Sequence, residues 1–287
     1  MKLTKDTNVL IIGLGVMGGS YAKALTDKGY KVSCITKEKS DVKFGIENKM
    51  ISYGTTEVEP ELVAGAELII FALYPQAFAD WIAKYQHLFT PGTLITDVTG
   101  VKGSIVYKIQ DMLREDVEYI AAHPMAGRER SGVEFADPGV FLGANYIVTP
   151  TEKNSLEAIK TCKELGEELG FARISELSPE EHDEMVAFLS QLTHCIAVVL
   201  MNCNDADGLE KYTGDSFRDL TRIAKINDRM WSELFLMNKD ALLREMDRFI
   251  EEFTEFRSYI ATEDGKRMRE KMRSSTQRRA LFDKKVK

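Results

Sequence analysis

Apolar positions follow two rhythms along this chain. Over the first part they come as short unbroken runs: NVLII at 8–12, KVSCI at 31–35, ELIIFAL at 67–73, TLITDV at 93–98, EYIAAH at 118–123 and NYIVTP at 145–150. A strand covered on both faces reads this way, because each side chain meets an apolar layer whichever face it points to. Between the runs the spacing turns helical, first over about 16–28. Strands alternating with helices predict a parallel sheet with helices on both faces.

After Pro150 the rhythm changes. SLEAIKTCKELGEELG (155–170) has helical spacing, and FARISEL (171–177) adds one more candidate strand. Ser178 followed by Pro179 and two glutamates marks a helix start, with serine as N-cap and proline at the first helical position. Nothing beyond it reads as a strand, so a domain boundary is expected near 178. The stretch 230–260 carries apolar residues at 3–4 spacing on more than one face, which predicts helices packed on a second copy of the chain.

Composition narrows the partners. The chain has 287 residues, 44% of them hydrophobic, and a formal net charge of −7, so no global positive field gathers nucleic acid or an anionic membrane. The segment 264–287 is locally basic but lacks the interleaved aromatics of a nucleic-acid surface, and no apolar run approaches the length of a membrane span. Cys34, Cys162, Cys195 and Cys203 show neither paired spacing nor grouping with histidine, which points to free thiols in a reducing cytoplasm and to no metal site.

Gly13, Gly15 and Gly18 form G-x-G-x-x-G between the first strand and the first helix. The first glycine permits a tight turn, the second lets a pyrophosphate approach the backbone, and the third lets helix and strand pack closely. Gly13-Leu14-Gly15-Val16-Met17-Gly18 is therefore the expected dinucleotide cradle, with Asp97 at the end of the TLITDV strand joining the cofactor set. After the second strand comes Thr36-Lys37-Glu38 rather than an immediate acid. Thr36 and Lys37 suit a ribose 2′-phosphate, so NADP is expected, with NAD the alternative if Glu38 turns inward. The whole reads as an α/β Rossmann-type, doubly wound parallel sheet over 1–178, followed by an all-α helical substrate and dimerisation domain over 179–287.

His123 stands at the end of a predicted parallel strand, on the sheet edge where ligands of such folds collect, and PMAGRERSG follows it with two arginines. A near-neutral pKa suits histidine to accept an alcohol proton during hydride transfer. A buried histidine bonding a backbone carbonyl is the plainer alternative.

GLGVMGGS, TDVTGVKGSI (96–105), HPMAGRERSG (123–132) and FRDLTRIAKINDRMW (217–231) together resemble the prephenate and arogenate dehydrogenases of tyrosine biosynthesis, in order and spacing, over nearly the whole chain. The resemblance implies an oxidative decarboxylation of a cyclohexadienyl dicarboxylate. His123 would accept the proton of the 4-hydroxyl, and Arg222 would bind a substrate carboxylate through its planar fork. His194, Arg128, Glu129 and Gln191 complete the implied substrate set.

The chain departs from the family where a serine usually bonds the catalytic histidine. Gly100 stands there, and Thr99 is the candidate to supply the hydroxyl. Gln191 and Thr193 replace a histidine and a proline of the family's S-H-L-P-H pattern. Prephenate or arogenate preference stays open, with Arg128, Gln191 and Asn238 as the places to look. No mutase or regulatory segment is visible, so a single activity is expected. A β-hydroxyacid dehydrogenase would share the opening glycines but needs a G-x-x-x-N-x-x-K helix that the sequence lacks. A nucleotide-binding sensor without catalysis would need neither His123 nor Arg222.

Overall fold

A computed structural model describes residues 2–127 and 130–283. Its strands are β1 (Asn8–Ile12), β2 (Lys31–Ile35), β3 (Tyr53–Thr55), β4 (Leu68–Phe71), β5 (Leu94–Asp97), β6 (Glu118–Tyr119), β7 (Ala121–Met125), β8 (Asn145–Thr149) and β9 (Arg173–Glu176). The helices are α1 (Val16–Asp27), α2 (Lys39–Glu47), α3 (Pro60–Ala64), α4 (Pro75–Tyr85), α5 (Val106–Met112) and α6 (Leu156–Leu169) in the first part. Then come α7 (Pro179–Val186), α8 (Thr193–Asn202), α9 (Asp215–Thr221), α10 (Asp228–Met237), α11 (Lys239–Ala261) and α12 (Gly265–Ala280).

Six parallel strands form one sheet in the order β3-β2-β1-β4-β5-β6. The order reverses between β1 and β4, and the crevice beyond the carboxyl ends of those strands is where doubly wound sheets take ligands. Successive residues of β1 point into opposite layers. Val9 and Ile11 join Leu68 and Ile70 under α1 and α6, while Leu10 and Ile12 join Ile69 and Phe71 under α3, α4 and α5. Both faces are dry, which is why these strands read as continuous apolar runs.

The segment 118–125 corrects one expectation. It is not a single parallel strand ending at His123. Glu118 and Tyr119 pair with β5, but beyond Ile120 the chain passes to a second sheet, β7-β8-β9, in which β7 runs antiparallel to β8 and His123 lies opposite Ile147. The change of partner has a physical cause at Asp97, where β5 ends. Its carboxylate, not a backbone carbonyl, receives the amide of Ala122 at 3.1 Å. β3 also lay outside the sequence reading.

Ser178 caps α7 as expected, its hydroxyl accepting from the Glu181 amide at 3.1 Å while Glu181 returns a bond to the Ser178 amide at 2.9 Å. A π-helical turn, Ala187–Leu192, joins α7 to α8 without a break. The resulting helix, Pro179–Asn202, is long and apolar enough by length and composition to cross a membrane. Only 28% of its apolar window is buried within the chain, and Phe188, Leu189, Val199 and Met201 are exposed.

Contacts divide the chain into two compact units, 1–239 and 240–287. In the second, Asp264 caps α12 by accepting from the Arg267 amide, and Lys271 of α12 pairs with Glu252 and Glu255 of α11.

Candidate active site

The nucleotide crevice is shaped by missing side chains. Gly13 turns at φ +96° directly after β1, and a Cβ there would lie 2.6 Å from the Ala72 carbonyl oxygen beyond β4. A Cβ on Gly18 would lie 2.0 Å from the Gly13 oxygen. Both glycines are demanded by backbone packing. Gly15 differs: a Cβ would meet nothing within 4 Å, and its residue caps α1 without a side-chain bond to the first-turn amides. An open space facing the amino end of a helix fits a pyrophosphate, which gains from the N–H groups and the helix dipole. Leu14, Val16 and Met17 complete the turn, and Leu14 donates its amide to the Thr36 hydroxyl at 3.3 Å. Thr36 thus ties the end of β2 to the glycine turn. Lys37 is exposed beside it. Nearby, an open cleft of about 540 Å³ is lined by Lys39, Lys43, Gly54 and Thr55.

The second centre is built from packed side chains. Asp97 is fully buried. One oxygen receives the Lys102 ammonium at 2.7 Å, the Thr99 amide at 2.9 Å and the Thr99 hydroxyl, and the other receives the Tyr119 hydroxyl at 3.0 Å and the Ala122 amide. Lys102, equally buried, also donates to the Ala122 carbonyl at 2.7 Å, one residue before His123. Burial pulls the Lys102 pKa below the usual lysine value, against the opposing pull of Asp97. Asp97 directs its carboxylate to these internal donors, and the Thr99 hydroxyl, expected to serve His123, lies against Asp97, the Val101 carbonyl and Lys102 instead.

His123 has another partner, one that sequence reasoning missed. Its Nδ1 lies 2.8 Å from Nε2 of His182, and His182 Nδ1 lies 2.8 Å from an Asp183 carboxylate oxygen. Asp183 is held in turn by the amides of Lys102 and Gly103, each at 2.8 Å. A carboxylate oxygen that already receives an amide accepts from His182 Nδ1–H. His182 Nε2 is then an acceptor, His123 Nδ1 donates to it, and His123 Nε2 is left as an acceptor edge. That edge faces Gly100: a Cβ built there would lie 3.8 Å from Nε2 and 3.6 Å from Leu234 of α10. Burial first, then His182 and Lys102, holds the His123 pKa well below the ordinary histidine value, and burial likewise lowers that of His182. Both shifts favour the neutral ring, the form a proton acceptor needs.

The α10 helix carries the site toward the helical part. Leu234 and Trp231, three residues apart, share a face. Trp231 stacks on His194 with ring centroids 3.7 Å apart, and the His194 Nδ1 donates to the Ser190 carbonyl at 2.8 Å. Arg222 is exposed at the start of a short 3₁₀ turn, Arg222–Ala224, that packs on α8. The same α10 grips the crevice, since Glu233 accepts the Gln76 amide at 2.7 Å in the first turn of α4. Gln191 is buried, donates to the Leu234 carbonyl at 3.0 Å and accepts from Asn238 at 2.8 Å, so it clamps the π turn to α10. Asn238 also donates to the Asp183 carbonyl at 2.9 Å and belongs to the same clamp. Arg128 and Glu129 lie outside the described residues.

A glycine turn shaped for a dinucleotide, in a chain whose histidine keeps an acceptor edge, is the equipment of an oxidoreductase that uses NAD or NADP. Residues 21–175 match the family model for the nucleotide-binding domain of prephenate dehydrogenase, and 178–274 match that for its dimerization domain. The chain belongs to the prephenate dehydrogenase family. It is 30% identical to the prephenate dehydrogenase of Bacillus subtilis, over 93% of this chain and 74% of that protein. It is also 30% identical to the cyclohexadienyl dehydrogenase of Zymomonas mobilis, over 96% of each. The crystal structure of prephenate dehydrogenase from A. aeolicus in complex with hydroxyphenyl propionate and NAD+ superposes with a TM-score of 0.90 at 28% identity, over 98% of this chain and 100% of that one.

Proposed function

We propose that this chain oxidatively decarboxylates prephenate to 4-hydroxyphenylpyruvate with NADP as the preferred oxidant, a step of tyrosine biosynthesis. The observation that carries the reading is the acceptor edge of His123, held neutral and aimed at the space left by Gly100. The bound dinucleotide supplies the hydride acceptor, cradled by Gly13, Gly15 and Gly18. As hydride leaves C4 of the ring, the 4-hydroxyl proton passes to His123 Nε2. The bond to the ring carboxylate breaks to release CO2, its electron pair completes the aromatic ring, and the proton returns to the same oxygen. No net proton is lost. Aromatisation drives the step, so the protein's work is chiefly positioning and proton handling.

Arg222 receives a substrate carboxylate, with His194 and Trp231 flanking it on the helical side. Lys37, with Thr36 behind it, meets the 2′-phosphate of NADP, a choice that the neighbouring Lys39 and Lys43 support. The exposed apolar face of the helix Pro179–Asn202 is the surface we assign to a second copy of the chain, giving a homodimer. The four cysteines are free thiols, in keeping with a reducing compartment such as the cytoplasm.

Arogenate, oxidised to tyrosine by the same chemistry, is the second reading, favoured by the resemblance but by no contact that separates the two side chains. Purified protein assayed with each substrate against NAD and NADP, following formation of the reduced dinucleotide, tests the proposal. Fastest reduction is expected with prephenate and NADP. Folded, nucleotide-bound protein that is silent in all four combinations would contradict it.

A further inference from the structure

We propose that His182 and Asp183 are positioning residues for His123: the hydrogen-bonded chain Asp183–His182–His123 fixes the tautomer that leaves His123 Nε2 as acceptor and takes up charge while the substrate proton is held. The inference rests on the reading of His123 as proton acceptor. Its support is geometric. α7 starts at a reciprocal cap, and the His182 amide donates to the Ser178 carbonyl at 2.9 Å, which fixes the helix turn that carries the ring. His182 is wholly buried, so no water competes for its nitrogens. The Asp183 carboxylate is oriented by the amides of Lys102 and Gly103, in the very turn that follows Asp97, and its carbonyl is tied to Asn238. Each end of the chain is anchored to a different element, which leaves the middle ring little freedom to rotate.

The charges around the pair give the chain a direction. Among the described residues, Lys102, Asp97 and Asp183 are the charged groups that act on the two rings. Lys102 opposes a cation on either ring, while Asp183 attracts one on His182 alone through direct contact. When His123 Nε2 takes the substrate proton, the proton on His123 Nδ1 therefore moves to His182 Nε2. The substrate O–H bond breaks as the N–H bond at His123 Nε2 forms, the N–H bond at His123 Nδ1 breaks as that at His182 Nε2 forms, and both transfers reverse when the phenolic oxygen recovers its proton. The cation rests on His182 against Asp183, away from the reacting carbon.

Nitrogen-15 NMR of the imidazoles in the free, full-length protein reads the tautomers directly. The chain has only four histidines, so His87→Asn and His194→Asn variants complete the assignment. The proposal expects protons on Nδ1 of both His123 and His182 at neutral pH; a proton on His123 Nε2 instead would overturn it. Kinetics give a second reading. His182→Gln retains an acceptor but cannot take up a proton, and is expected to lower kcat about tenfold with KM within about twofold, whereas His182→Leu removes the acceptor as well and lowers kcat about a hundredfold. A folded His182→Leu enzyme with kcat within about twofold of the parent would contradict the proposal. If that variant does not fold, His182→Gln and the parent spectrum still decide. Should the parent turn over neither substrate, the proposed function fails while the spectrum still tests the tautomer.

Discussion

The two halves of the site are built on opposite principles. At the proposed nucleotide crevice the groups on offer are backbone amides, and side chains are kept away: Gly13 and Gly18 have backbone standing against them, while the space beside Gly15 is open. At the proposed acid–base centre the groups on offer are side chains, packed so that the polar side-chain atoms of Asp97, Lys102, His182 and Asp183 have defined partners. The first kind of site tolerates no added atom, and the second tolerates no removed one. Substitutions should therefore separate them cleanly.

The largest loss is expected at Lys102. Lys102→Met leaves the Asp97 carboxylate buried without its cation and the Ala122 carbonyl without its donor, and should cost about 3–5 kcal/mol of stability by denaturant unfolding. A smaller and opposite signature is expected at Gly15. Its backbone is not in the left-handed region and its Cβ direction is empty, so Gly15→Val should fold as stably as the parent yet bind the dinucleotide about a hundredfold more weakly, roughly 2.7 kcal/mol, by fluorescence titration. If Gly15→Val bound normally, the crevice would not be where the pyrophosphate lies.

The same contrast explains what could be read from the sequence. The crevice comes from one contiguous stretch, so spacing alone placed Gly13, Gly15 and Gly18 in a turn between a strand and a helix. The apolar runs likewise marked the buried strands, because both faces of the sheet are covered. β3 escaped because Tyr53-Gly54-Thr55 is three residues long, has no apolar run and is partly exposed. His123 was legible as a residue, but its strand was assigned to the wrong sheet, since the switch at Ile120 is made by the side chain of Asp97 on another strand. His182 was hidden for a related reason. In SPEEHDEM it reads as an ordinary polar residue of a first helical turn, and its partner lies 59 residues away. Motif position made Thr99 the expected hydroxyl partner of His123 and put Gln191 in the substrate set, while the fold uses both side chains in hydrogen bonds between its own elements. Only a histidine next to an aspartate, just inside a capped helix start, hinted at the pair.

His123 is where the account is most exposed, and His123→Asn tests it most directly, with dinucleotide affinity and turnover measured on the same preparation. Asparagine retains polarity but accepts no proton, so affinity should stay within about twofold of the parent while kcat falls about a thousandfold, the scale of lost general-base catalysis. Undiminished turnover in a folded, nucleotide-binding His123→Asn protein would contradict the assignment of His123 as the proton acceptor.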